Sequence, residues 1–152
     1  MSNITVTITG LAELQAAALR APIVAASEIS KATEKSMIAI WNNALKEAPV
    51  NKQTGGGNLR QNIRGRMTGR FVGVVQSFAN YSNVVLEGSR PHLIQVRNAR
   101  VLANKRTGQF FGKVVHHPGT KPNPFFERAV ADSESKINEY VGVALQAILM
   151  SL

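Results

Sequence analysis

The side chains in this sequence most able to do chemistry are three imidazoles and a long run of cations. His116 and His117 are adjacent, and His92 lies upstream. Neighbouring residues on a strand point to opposite faces, so the adjacent pair is badly placed to chelate one metal ion. The only carboxylate near them in sequence is Glu87. No paired-carboxylate spacing suits acid/base catalysis. No serine occupies a G-x-S-x-G elbow, and Gly55-Gly56-Gly57 lacks the G-K-[ST] ending of a phosphate loop. Cysteine is absent, which removes thiolate ligands, thiol nucleophiles and disulfides together. The chain is therefore expected to be no enzyme, with no metal and no cofactor.

The cations are more informative. Lys and Arg number 18 against 9 Asp and Glu, a net charge of +9, and the excess is local. Residues 1–50 balance to zero, residues 122–152 carry −2, and residues 51–121 hold twelve cations against Glu87, a net +11. Such a segment calls for an anionic partner, either nucleic acid or an acidic protein face. Arg60 and Arg64 are one helical turn apart and can face a phosphate backbone. Arg97, Arg100, Lys105, Arg106 and Lys113 decorate a second cluster. Tyr81, Phe110 and Phe111 are candidates for stacking on bases. No zinc finger, ribonucleoprotein aromatic motif or GXXG loop accompanies them, so only electrostatic, sequence-independent contact with nucleic acid is supported. Eight of the twelve cations are Arg. Arginine pairs carboxylates bidentately and desolvates more readily than lysine, which favours docking on protein.

These residues need elements to position them. The length of 152 residues corresponds to a single domain, 1–152, able to bury its own core. Asn3 to Thr9 alternates as a half-buried strand, and Leu11 to Leu19 reads as a short helix. From Ile23 to about Leu45 apolar residues recur in steps of three and four, one helix face, which must end before Pro49. Residues 51–58 form a glycine-rich flexible loop. Phe71 to Ala79 alternates as a strand. His92–Leu102 and Gln109–His116 read as the arms of a hairpin, 92–116, that projects from the body. From Phe125 a closing helix of about seven turns resumes the helical period. The expected fold class is α+β, with two long helices packed on a small, mostly antiparallel sheet. No apolar run approaches the ~20 residues needed to span a bilayer, so no membrane is expected among the partners.

Three segments together resemble a known family. Ala48-Pro49-Val50, then Thr54-Gly55 and Leu59-Arg60 with Asn62-Ile63, is similar to an "APv…TGxLR.sI" signature. Tyr81 to Ser89, through Glu87-Gly88, is similar to "YAxyvExGT". His117-Pro118-Gly119-Thr120, followed by Pro124-Phe125-Phe126 and Ala129, is similar to "hPGTkxxPFlxxA". In this order they resemble the minor tail components of tailed bacteriophages, variously called head–tail joining, neck or tail-completion proteins. Two extra glycines, Gly56 and Gly57, stretch the first motif, and Ser89 replaces the usual threonine. The resemblance implies a non-enzymatic virion protein at the head–tail junction, assembled in the host cytoplasm. It further implies a homo-oligomeric ring, expected to be a hexamer, between connector and tail proteins, with DNA passing through its lumen. Gly55, Leu59, Tyr81, Gly88, Pro118, Gly119, Pro124 and Phe125 are the structural motif positions. Arg60, Arg64, Glu87, Arg97, Arg100, Lys105, Arg106 and Lys113 are the expected interface residues, with Glu87 pairing an arginine of its own or the adjacent subunit. The alternative is a small basic nucleic-acid-binding module.

Overall fold

The computed structural model describes residues 23–50, 56–97, 100–104 and 107–150. The strand expected at Asn3–Thr9, the helix expected at Leu11–Leu19, most of the glycine-rich loop, Gly55, Lys105 and Arg106 lie outside them. The fold is α+β. Its helices are α1 (Ile23–Glu47), α2 (Asn58–Gln61), α3 (Ser82–Glu87), α4 (Phe125–Ala131) and α5 (Glu134–Leu149). Its strands are β1 (Ile63–Gly69), β2 (Val72–Ser77), β3 (His92–Gln95), β4 (Leu102–Ala103), β5 (Phe110–Gly112) and β6 (Val114–His117). Instead of one sheet they form three antiparallel two-stranded ladders, β1–β2, β3–β6 and β4–β5. The chain divides into two compact units, one of residues up to Ser82 with those from Pro124 onward, the other Asn83–Asn123.

The first unit is built around α1. Ile29, Thr33, Met37, Ile40 and Ala44 recur at helical spacing and are buried. Thr33, the polar member of that stripe, satisfies its hydroxyl by donating to the Ile29 carbonyl at 2.9 Å. The β1–β2 ladder lies against this face because it carries glycine where the helix needs room. A Cβ on Gly73 would stand 2.7 Å from Met37 Cβ, and one on Gly65 would stand 3.1 Å from the Trp41 ring. Trp41 then reaches across the ladder end, its Nε1–H donating to the Ile63 carbonyl at 3.1 Å. Packing of α4 and α5 against α1 completes the unit. Phe125 and Phe126 are fully enclosed with ring centroids 4.5 Å apart, each contributing about 1.5–3 kcal/mol of burial. Arg128 Nε donates to Glu47 at 2.7 Å.

Where a continuous closing helix was expected, the structure has a break between Ala131 and Glu134. Ser133 explains it. Its buried hydroxyl donates to the Ala129 carbonyl at 2.6 Å and accepts from Asn43 Nδ2 at 2.9 Å. The Ser133 N–H meanwhile bonds three residues back, to Val130 at 2.9 Å, which tightens the turn. The break is thus pinned to α1. Among the described residues no helix is long and apolar enough to cross a membrane.

Three substitutions separate packing from propensity in this unit. Gly73→Ala is expected to lower stability by about 1–3 kcal/mol, because the methyl group collides with Met37 in a packed layer. Gly142→Ala, in the middle of α5 with nothing within 4 Å, should raise it by about 0.5–1 kcal/mol. Ser36→Ala should raise it by about 1 kcal/mol, since the buried Ser36 hydroxyl finds no hydrogen-bond partner among the described residues. Urea unfolding of the three variants checks all three signs.

Candidate functional site

The second unit holds seven Lys and Arg against Glu87, a net charge of +6 in 41 residues. It begins in α3, whose last carbonyls are taken by one donor: the Asn123 N–H lies 3.0 Å from the Val85 oxygen and 3.2 Å from that of Leu86. Gly88 follows with φ +75, the left-handed position that ends a helix, and a Cβ there would run into the Thr120 carbonyl oxygen. Ser89 and Thr120 then exchange both backbone hydrogen bonds, each N–H donating to the other's carbonyl at 3.0 Å. Their hydroxyls meet at 3.3 Å. Gly119 mirrors Gly88, with φ +88 and a Cβ position that the Ser89 carbonyl oxygen fills. Two of the three segments singled out in the sequence, Tyr81–Ser89 and His117–Pro124, therefore interlock. They close the base of the excursion 90–118.

Inside that base the chain runs as two nested ladders. His92 to Gln95 pairs with Val114 to His117, and Leu102–Ala103 pairs with Phe110–Gly112, with a register shift between Leu102 and Ala103. Lys113 separates the two. The register sets His92 opposite His117, their rings stacked with centroids 4.9 Å apart, and leaves His116 on the other face. Hydrogen-bond partners fix both tautomers. A carbonyl can only accept, so His92 Nδ1 donates to Arg90 at 2.9 Å; a backbone N–H can only donate, so His117 Nδ1 accepts from Gly119 at 3.1 Å. Among the described residues no three His, Asp or Glu side chains gather into a metal-ligand set.

The expected interface residues are scattered by the fold. Arg60 and Arg64 do not share a helix face, because α2 stops at Gln61 and Arg64 lies on β1. Arg60 donates to the Lys46 and Ala48 carbonyls at 3.2 and 3.3 Å, satisfying the open end of α1. Arg64 donates to the Gln61 and Ile63 carbonyls. Leu59 is buried beside them. Glu87 is exposed and makes no ion pair among the described residues. Arg97, Arg100 and Lys113 are exposed on the excursion. Tyr81 is 41% exposed, and Pro124 immediately precedes α4, whose first residue, Phe125, is enclosed.

The feature hidden from sequence reasoning is what the second unit lacks. Among its described residues not one side chain is buried. Leu93 is 51% exposed and Phe110 73%, and Ile94, Phe111 and Val114 are open as well. Neither ladder has a covered apolar face. Pro91, His92, Leu93, His116, His117 and Pro118 line an open hollow on the β3–β6 ladder, and the described surface around it is cationic and apolar.

Gly119→Ala is expected to open the base of the excursion. The methyl would meet the Ser89 carbonyl, and a left-handed backbone costs a non-glycine residue about 1–2 kcal/mol more. Hydrogen exchange at the Ser89 and Thr120 amides should accelerate by about tenfold or more, while the Ile63–Ser77 ladder amides keep their wild-type rates. No protein-family model, no curated protein and no solved structure matches this chain.

Proposed function

We propose that this chain is a structural subunit of a tailed-bacteriophage neck, forming a closed homo-oligomeric ring that joins the portal-side connector to the tail. The observation that carries this reading is the interlock of Tyr81–Ser89 with His117–Pro124. Two segments chosen for their resemblance to neck and tail-completion proteins meet in space and define the base of one basic excursion. An assembly subunit needs a firm body and a segment that is completed by neighbours. The first unit supplies a packed body of helices on a ladder. The second supplies a charged segment with exposed Leu93, Phe110 and Phe111 and no core. The subunit has no enzymatic role in this reading. Its partners are further copies of itself in a ring expected to be a hexamer, the adjacent connector and tail proteins, and DNA only through unspecific contact in the lumen.

The charge of the excursion also supports the second reading, a small nucleic-acid-binding module. The Arg97, Arg100 and Arg106 positions separate the two. Replacing all three with glutamine should leave the subunit folded while full heads and separate tails accumulate. Normal joining with altered DNA retention or ejection assigns the cations to the lumen instead. A chain that stays small, shifts DNA with steep salt dependence and leaves particle assembly intact is the binding module.

A further inference from the structure

The second unit has a physical deficit that charge alone does not meet. A two-stranded ladder with no apolar face covered is marginal in water. Leu93, Ile94, Phe110, Phe111 and Val114 need to be covered by apolar surface, and phosphates offer none. The missing surface must be apolar, and its surroundings must be acidic to match the net +6. The chain itself carries such a surface.

Helix α5 is apolar nearly all round in its second half. Ala144 faces inward and is buried, yet Val143 is 56% exposed, Leu145 44% and Leu149 62%. A helix with that pattern is normally enclosed on every side. Leu145 and Leu149 are four residues apart and share one face. The segment that carries them has a charge opposite to the excursion's, with Lys31 and Lys35 of α1 lining the same hollow as Glu139 and Val143. Residues 122–152 have a net charge of −2, and Glu127, Asp132, Glu134 and Glu139 are all exposed with no ion pair among the described residues. Arg128, one of only two cations there, is already engaged with Glu47. Nor do Arg97, Arg100 and Lys113 pair with any acid among the described residues.

We infer that the excursion 90–118 of one copy docks on helix α5 of a second copy. Its exposed leucine and phenylalanines lie against Leu145 and Leu149, and its arginines against the acids Glu134 and Glu139. The contact is heterologous: each copy offers a different patch on either side, so repetition generates a ring or an open chain of subunits. The inference rests on the homo-oligomeric part of the proposed function and adds the two faces that make it.

The test uses the full chain in three charge-reversed forms at low salt, followed by sedimentation velocity up to the solubility limit. The first carries Arg97→Glu, Arg100→Glu and Lys113→Glu; the second carries Glu134→Lys and Glu139→Lys; the third carries all five. Wild type is expected to self-associate, and each of the first two forms alone to remain monomeric. Mixed in equal amounts they should assemble as wild type does, because the excursion of each form is complementary in charge to the helix of the other. That recovery also shows that both forms are folded. The five-fold variant should recover wild-type assembly, and Leu145→Ser with Leu149→Ser should abolish assembly without changing charge. A monomeric wild type, or an equal mixture that stays monomeric, overturns the inference. Assembly through these faces with no consequence for head–tail joining overturns the neck reading and leaves the contact standing. Joining that requires the chain while the mixture stays monomeric does the reverse.

Discussion

The reciprocal backbone exchange between Ser89 and Thr120 is the constraint on which the second unit depends. Thirty residues of chain lie between the two partners, and closing a loop of that length costs entropy that scales with its logarithm. In a packed domain, burial offsets this cost. Here no described side chain between Asn83 and Asn123 is buried, so the offset comes from hydrogen bonds and backbone fit. Gly88 and Gly119 matter for that reason. Each occupies left-handed space and lets a carbonyl approach where a Cβ would stand, so the two strands can close to bonding distance. Asn123 adds a donor to the end of α3, and Gly119 adds one to His117. A net hydrogen-bond contribution of about 0.5–1.5 kcal/mol each makes this a local clasp, not a stable domain.

The first unit solves the opposite problem, too much side chain for the space available. Met37 and Trp41 are large, and the β1–β2 ladder reaches α1 only because residues 65 and 73 present no side chain. Small residues on α1 itself, Ala32 and Ala39, let α5 settle on its remaining face, where they line hollows shared with Tyr140 and Ala144. The polar atoms buried by this close approach are mostly answered from within the unit. Trp41 donates to Ile63, Asn43 to Ser133, and Arg60 to the carbonyls left open at the end of α1. Arg60 therefore has a structural duty that its position in a basic segment conceals.

The parts legible in the sequence are those governed by local periodicity. The three- and four-residue steps from Ile23 pick out Ile29, Met37, Ile40 and Ala44 as the buried face, and Pro49 marks the end of the helix within two residues of Glu47. The same period resumes after the break at Ser133, across which residues 132 and 133 keep right-handed helical geometry. A serine on an apolar face was the available signal; its partner Asn43, 90 residues away, was not. Helical spacing makes Arg60 and Arg64 neighbours only while the helix continues past Gln61, and there the chain turns into a strand. The interlock lay beyond local rules altogether. Its glycines could be marked as motif positions, but nothing local says which distant segment fills the space their missing side chains leave. Alternation along residues 92–95 and 114–117 is a local pattern, whereas the absence, among the described residues, of any layer covering them is not.

A unit with a clasp but no core links folding to association. Its exposed leucine and phenylalanines contribute little until another surface excludes water from them, so the free energy of ordering the excursion and that of docking it are the same quantity. Such coupling lowers affinity per unit of buried area, because the ordering entropy is charged against the contact. It also confers directionality. In the proposed assembly the helical unit is firm beforehand and a neighbour completes the excursion, so a copy presents one finished face and one unfinished face. One of each is the combination from which a head-to-tail ring can grow.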